Sequence, residues 1–168
     1  MEYRLIRARR KTIALQVCPD GSVEVRAPKR MSQKEIDTFV FRHKDWLEDA
    51  VKRAKIRYFR EREIDAREQE LRQKAVDYLP KKTLEWAAKM GVCPTAIKIT
   101  SAKTRFGSCS PKNGICYSWR LMAYPEQAVE YVIVHELAHI LQKNHSAKFY
   151  AVVETYLPDW KKRKQLLR

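Results

Sequence analysis

The chain has 168 residues, 35 of them Lys or Arg against 20 Asp or Glu, a net charge of +15, and 45% of its side chains are hydrophobic. That apolar share excludes a disordered chain, and the length suits one domain with a small appendage. The basic N-terminus has no apolar run behind it, and apolar runs elsewhere are soon broken by His, Glu or Lys, which predicts neither a leader nor a membrane span.

Four cysteines, Cys18, Cys93, Cys109 and Cys116, form no Cys-x-x-Cys pair and predict reduced thiols in a soluble cytoplasmic protein. The basic excess runs throughout and ends in Lys161, Lys162, Arg163, Lys164 and Arg168. Such a field attracts polyanions, so nucleic-acid association is one expectation from charge and a plain solvated surface is the other.

In chain order, Ile13, Leu15 and Val17 alternate with polar positions, Pro19-Asp20-Gly21 supplies a turn, and Val23, Val25 and Ala27 alternate again, predicting a β-hairpin that ends at Pro28. Ser32, with Glu35 three residues on, caps a helix that starts near Gln33 and carries Ile36, Phe39, Val40, Trp46 and Leu47. The polar stretch from Asp49 to about Glu70 reads as a solvated or linking helix and holds the boundary between units 1–66 and 67–168. A further helix runs from Leu71 to Gly91, with Pro80 expected to kink or divide it.

Beyond Pro94 the period switches to strands at Ile97 and Ile99, at Arg105 to Cys109, and at Ile115, Tyr117, Trp119 and Leu121, with a turn over residues 110–114. The stretch from Ile97 to Cys109 is a candidate sheet edge, onto which a peptide could add as a strand. Pro125 opens a helix that is apolar nearly all round and therefore buried, and Ser146 caps another that Pro158 stops. This order of elements predicts an α+β fold. Trp46, Trp86, Trp119 and Trp160 are read as core, and Cys109 and Cys116 as small packed residues rather than metal ligands.

The buried helix carries His135-Glu136-Leu137-Ala138-His139. Histidines four apart share one helix face, so two imidazoles reach one metal ion with Glu136 beside them, the pattern of zinc peptidases. His145 supplies a third nitrogen, with Glu154 the next candidate for that place. Three protein ligands leave the fourth position of one Zn2+ for water, the catalytic arrangement. In that reading Glu136 activates the zinc-bound water for attack on a peptide carbonyl and then passes the proton to the leaving amine. Tyr150, Tyr117 and Arg120 are open alternatives for contacting the oxyanion or the substrate. A metal-dependent nuclease is the competing expectation, and Glu136 argues against it, because peptide hydrolysis needs a base there.

The run Arg105-Phe106-Gly107-Ser108-Cys109-Ser110, then Trp119-Arg120-Leu121, Pro125, Val134 to His139 and Asn144-His145-Ser146 with Phe149, resembles the YgjP-like metallopeptidase domain, a relative of SprT-like proteins. Gly21, Val23 to Pro28 and Trp46 are similar to that family's N-terminal part. The resemblance implies a zincin-like core, a small mixed sheet packed on the His-Glu-x-x-His helix, preceded by a hairpin and helix unit. It also implies a zinc-dependent peptidase acting on peptide or protein, with recruitment to nucleic-acid-bound proteins as in SprT-like relatives. Phe106 stands where the family has tryptophan, and Gln142 stands where metzincins, which share the three-histidine spacing, make their turn with glycine.

Overall fold

Val23, Val25 and Ala27 alternate with Glu24 and Arg26, and this period of two makes β3 (Val23–Pro28) with one apolar face turned into a core. The structure is a computed structural model and describes residues 2–167, so Arg168 of the basic cluster lies outside the described residues. The predicted hairpin forms, with β2 (Ala14–Val17) antiparallel to β3 and Leu15 opposite Val25. Gly21 in its turn has φ 85°, and a Cβ there would meet Lys55 Cγ at 2.5 Å, so both backbone and space call for glycine.

A strand that the periodicity did not announce, β1 (Arg4–Ala8), pairs parallel with β3 and makes the order β1-β3-β2. Its Leu5-Ile6 pair is flanked by arginines and shows no alternation, so only the β3 edge organises it. Ser32 and Glu35 form the expected capping box of α1 (Gln33–Arg42), whose Ile36 and Val40 close the core with Leu47. The helix stops at His43 rather than running on through Trp46, and α2 (Lys44–Ala66) follows. Trp46 is 50% exposed, contrary to the core reading.

Contacts group the chain into two compact units, Met1–Ala66 and Arg67–Arg168. The second begins with α3 (Glu68–Met90), ended by Gly91 in the left-handed region at φ 65°. Pro80 does not divide α3, because the stripe Leu71, Ala75, Leu79, Thr83 and Ala87 is buried on both sides of it and packing outweighs the lost hydrogen bond. Strands β4 (Ala96–Thr100), β5 (Gly107–Cys109) and β6 (Gly114–Ser118) form a sheet of order β4-β6-β5, parallel on one side and antiparallel on the other.

Tyr117 and Ile115 share the buried side of β6, but Trp119 and Leu121 are not in that strand. Ser118 accepts from the Arg120 N–H and turns the chain into a 3-10 helix, Trp119–Ala123. Then come α4 (Glu126–Leu141), α5 (Ala147–Tyr156) and α6 (Trp160–Gln165), the last formed by residues that read as a basic tail. Nine α4 side chains are buried, and the helix packs on α3, β5, α5 and α6. Among the described residues, six α-helices and two small mixed sheets make an α+β fold, and no helix is long and apolar enough to cross a membrane.

Candidate metal centre

His135 and His139 stand one turn apart on α4, and His145 comes back from the loop before α5. Their Nε2 atoms converge, with His145 Nε2 at 3.0 Å from His135 Nε2 and 3.2 Å from His139 Nε2. Phe149, fully buried on α5, lies under all three rings at centroid distances of 4.8, 4.5 and 4.9 Å and sets their common level.

The tautomer of His139 follows from its outer nitrogen. His139 Nδ1 is 3.0 Å from the Gln142 carbonyl oxygen, which only accepts, so Nδ1 carries the proton and Nε2 presents a lone pair. His135 Nδ1 lies 3.4 Å from the Tyr131 hydroxyl. Burial, reinforced by His139, His145 and Lys164, pushes His135 down to about 3, and burial also lowers His139. Nitrogen lone pairs that face one another repel unless a cation sits among them, and ligands 2.0–2.1 Å from one zinc would lie roughly 3.3 Å apart. The donor set therefore fits a divalent ion, and these three histidines are the group among the described residues that could hold one. Glu154 is not in it.

Glu136 points from α4 under β5 and is only 6% exposed. Burial pushes its carboxyl up to about 7 against the opposing charge of Arg105. It fits there because Gly107 has no side chain, since a Cβ at that position would lie 2.6 Å from Glu136 Cγ and Oε1. A cleft of about 410 Å3 opens over His135 and His145, with Phe106, Gly107, Glu136, Tyr150 and Lys164 in its wall. A larger groove of about 710 Å3 runs along α3, but Lys74, Asp77, Lys81 and Glu85 make it a solvated charged face with no converging ligand set.

The family model of the YgjP-like metallopeptidase domain matches residues 11–70 and 60–168, nearly the whole chain. The chain belongs to this metallopeptidase family. Membership makes the protein a hydrolase of the peptidase class and implies a divalent metal. No curated protein sequence matches it. Among solved structures it is similar to the metallopeptidase zymogen jannalysin of Methanocaldococcus jannaschii, with 22% identity and a TM-score of 0.46 over 51% of this chain and 89% of that one. It is similar also to the zymogen abylysin of Pyrococcus abyssi, with 21% identity and a TM-score of 0.47 over 51% and 88%.

In this YgjP-like chain the three substrate-contact candidates part company. Tyr150 lines the cleft, its ring 6.3 Å from that of His145. Tyr117 does not reach it, because the ring is fully buried and its hydroxyl lies 3.3 Å from Thr83 Oγ1 on α3. Arg120 lies over the Trp119 ring at 4.4 Å and is not part of the cleft wall. Gln142 takes φ −136°, extended backbone that needs no glycine, so its departure from the metzincin turn carries no strain. Cys109 pairs with Ile115 and Cys116 with Ser108, which puts the two thiols on opposite faces of the sheet. Sequence reasoning missed Gly107 as the seat of Glu136, Tyr131 as the partner of His135, and Trp160, whose ring stacks on Tyr150 at 4.8 Å and on Tyr131 at 6.3 Å. The glycine was visible beside the family-like Arg105-Phe106, but nothing local tied it to a helix thirty residues away.

Proposed function

We propose that the protein is a zinc-dependent peptidase in which His135, His139 and His145 hold one Zn2+ and Glu136 is the general base. The observation that carries this is the convergence of three imidazole Nε2 atoms beside a carboxyl buried at the floor of an open cleft. When bound, the ion supplies Lewis acidity that acidifies water and polarises the scissile carbonyl. Glu136 accepts the proton of the attacking water and delivers it to the leaving amide nitrogen, and a carboxyl near neutrality is suited to both transfers. The Gln142 carbonyl and the Tyr131 hydroxyl keep His139 and His135 aimed inward. Tyr150, over the cleft, is the side chain we assign to the developing oxyanion or to the substrate.

We assign this chemistry to the zincin-like unit 67–168, with 1–66 an appended hairpin and helix unit. Strand β5 is an edge of its sheet and runs beside Glu136, which supports extended peptides adding along it with little side-chain selection. Unpaired Cys18, Cys93, Cys109 and Cys116 support a reducing, cytoplasmic setting. A hydrolase acting on nucleic acid has only net charge behind it, whereas the placement of Glu136 favours peptide.

The test pairs metal analysis with hydrolysis of unstructured protein substrates. Glu136→Gln keeps one zinc per chain and loses roughly 100-fold or more of the activity, while His145→Ala loses the metal. Full activity in Glu136→Gln would remove the mechanism.

A further inference from the structure

The basic tail is not one surface. In α6, Trp160 and Lys164 are one turn apart and share a face, with Arg163 next to it. Arg163 is neutralised: its guanidinium lies 2.7 Å from Glu130 on α4 and 2.7 Å from Asp159. Trp160 stacks on Tyr150 and Tyr131. These contacts clamp α6 against α4 and α5 and leave Lys161 and Lys162 outside. Lys164 is turned to the cleft wall, together with His135, Glu136 and Tyr150.

Lys164 has no carboxylate partner among the described residues. A cleft bordered by this lysine, whose histidines could hold a divalent ion, has one buried carboxyl, Glu136, to set against them. Positive potential is focused into such a concavity and is relieved by an incoming anion.

We propose that Lys164 is a specificity-determining residue that docks a carboxylate of the peptide substrate beside the scissile bond. The carboxylate comes either from an acidic side chain or from the end of the substrate chain. The inference rests on the peptidase reading above and adds the substrate class.

Two peptide sets with the zinc-loaded whole chain separate the sources. One set is blocked at both ends and compares Asp or Glu with Asn or Gln; the other lacks acidic side chains and compares a free C-terminal carboxylate with the amide. In one set kcat/KM favours the carboxylate by about fivefold, the effect of one exposed ion pair at the upper end of its range. Lys164→Gln abolishes that preference by lowering the rate on the anionic member alone, Lys164→Glu inverts it, and Lys164→Arg restores it. Equal rates on carboxylate and neutral members of both sets, or a preference that survives Lys164→Gln, would overturn the proposal.

Binding judges it apart from turnover. In a Glu136→Gln background the dissociation constant of the preferred anionic peptide rises about fivefold with Lys164→Gln, while that of its neutral counterpart stays put. An unchanged constant for the anionic peptide overturns the assignment of Lys164. Failure of the wild type to cleave any peptide overturns the peptidase reading instead, and the binding comparison still decides whether Lys164 receives a carboxylate.

Discussion

Glu136 owes its position to a missing methyl group. Gly107 → Ala would put Cβ 2.6 Å from the Glu136 Cγ and Oε1, and the carboxyl, not the β5 backbone, is the part free to yield. Displacing a general base by about 1 Å costs on the order of 100-fold, so this substitution should lower kcat by about that factor while zinc content stays at one per chain. Loss of zinc together with activity would show that the histidines, too, depend on that contact. Tyr131→Phe probes the next layer: removing the oxygen opposite His135 Nδ1 should weaken zinc binding about tenfold, read by competition with a chelator. The cluster of three histidines was legible in the sequence because a helix turns four residues of spacing into one face, and His145 lies only six residues beyond His139. Gly107, Tyr131 as a partner and the Phe149 floor were not, because each acts through a contact made only once strand, helix and loop are assembled. Tyr117 misled for the reverse reason: an aromatic hydroxyl near the motif in sequence is drawn into the core by its strand's buried side.

Elements with local signals are the ones that periodicity recovers. The capping box at Ser32 and Glu35 fixed the start of α1, and Gly91 fixed the end of α3. Strand β1 and helix α6 depend on partners distant in sequence, and patterning revealed neither them nor the 3-10 turn after Ser118. The capping box also has a testable pH dependence. Hydrogen bonds from the Ser32 hydroxyl and backbone hold Glu35 below the ordinary value of 4.5. A lowered carboxyl contributes stability that is fully present above 4.5 and is lost as pH falls through its folded value. Ser32→Ala should therefore destabilise the first unit at neutral pH, and the difference from wild type should narrow as pH falls below 4.5. Urea midpoints at pH 7 and pH 3.5 measure it, and a constant difference would mean that the Glu35 contact adds nothing.

Each unit has its own apolar core: Val25, Ile36 and Leu47 in one, and Leu79, Tyr117, Leu137 and Phe149 in the other. The proposed metal belongs wholly to the second, and a ligand that binds only the folded state stabilises it by mass action, about 4 kcal/mol at a thousand times its dissociation constant. For a unit of roughly 100 residues each kcal/mol moves the melting temperature by about 4–8 °C, so chelation should lower the transition of the second unit by more than 10 °C. Tryptophan fluorescence separates the units: Trp46 reports the first, and Trp86, Trp119 and Trp160 report the second. In a variant with Trp46→Phe the chelator-sensitive transition should persist. In one that keeps only Trp46 the observed midpoint should stay within a few degrees of its untreated value. Equal shifts from both reporters would show that the two cores unfold as one cooperative body, and no shift from either would remove the metal from the stability of the fold.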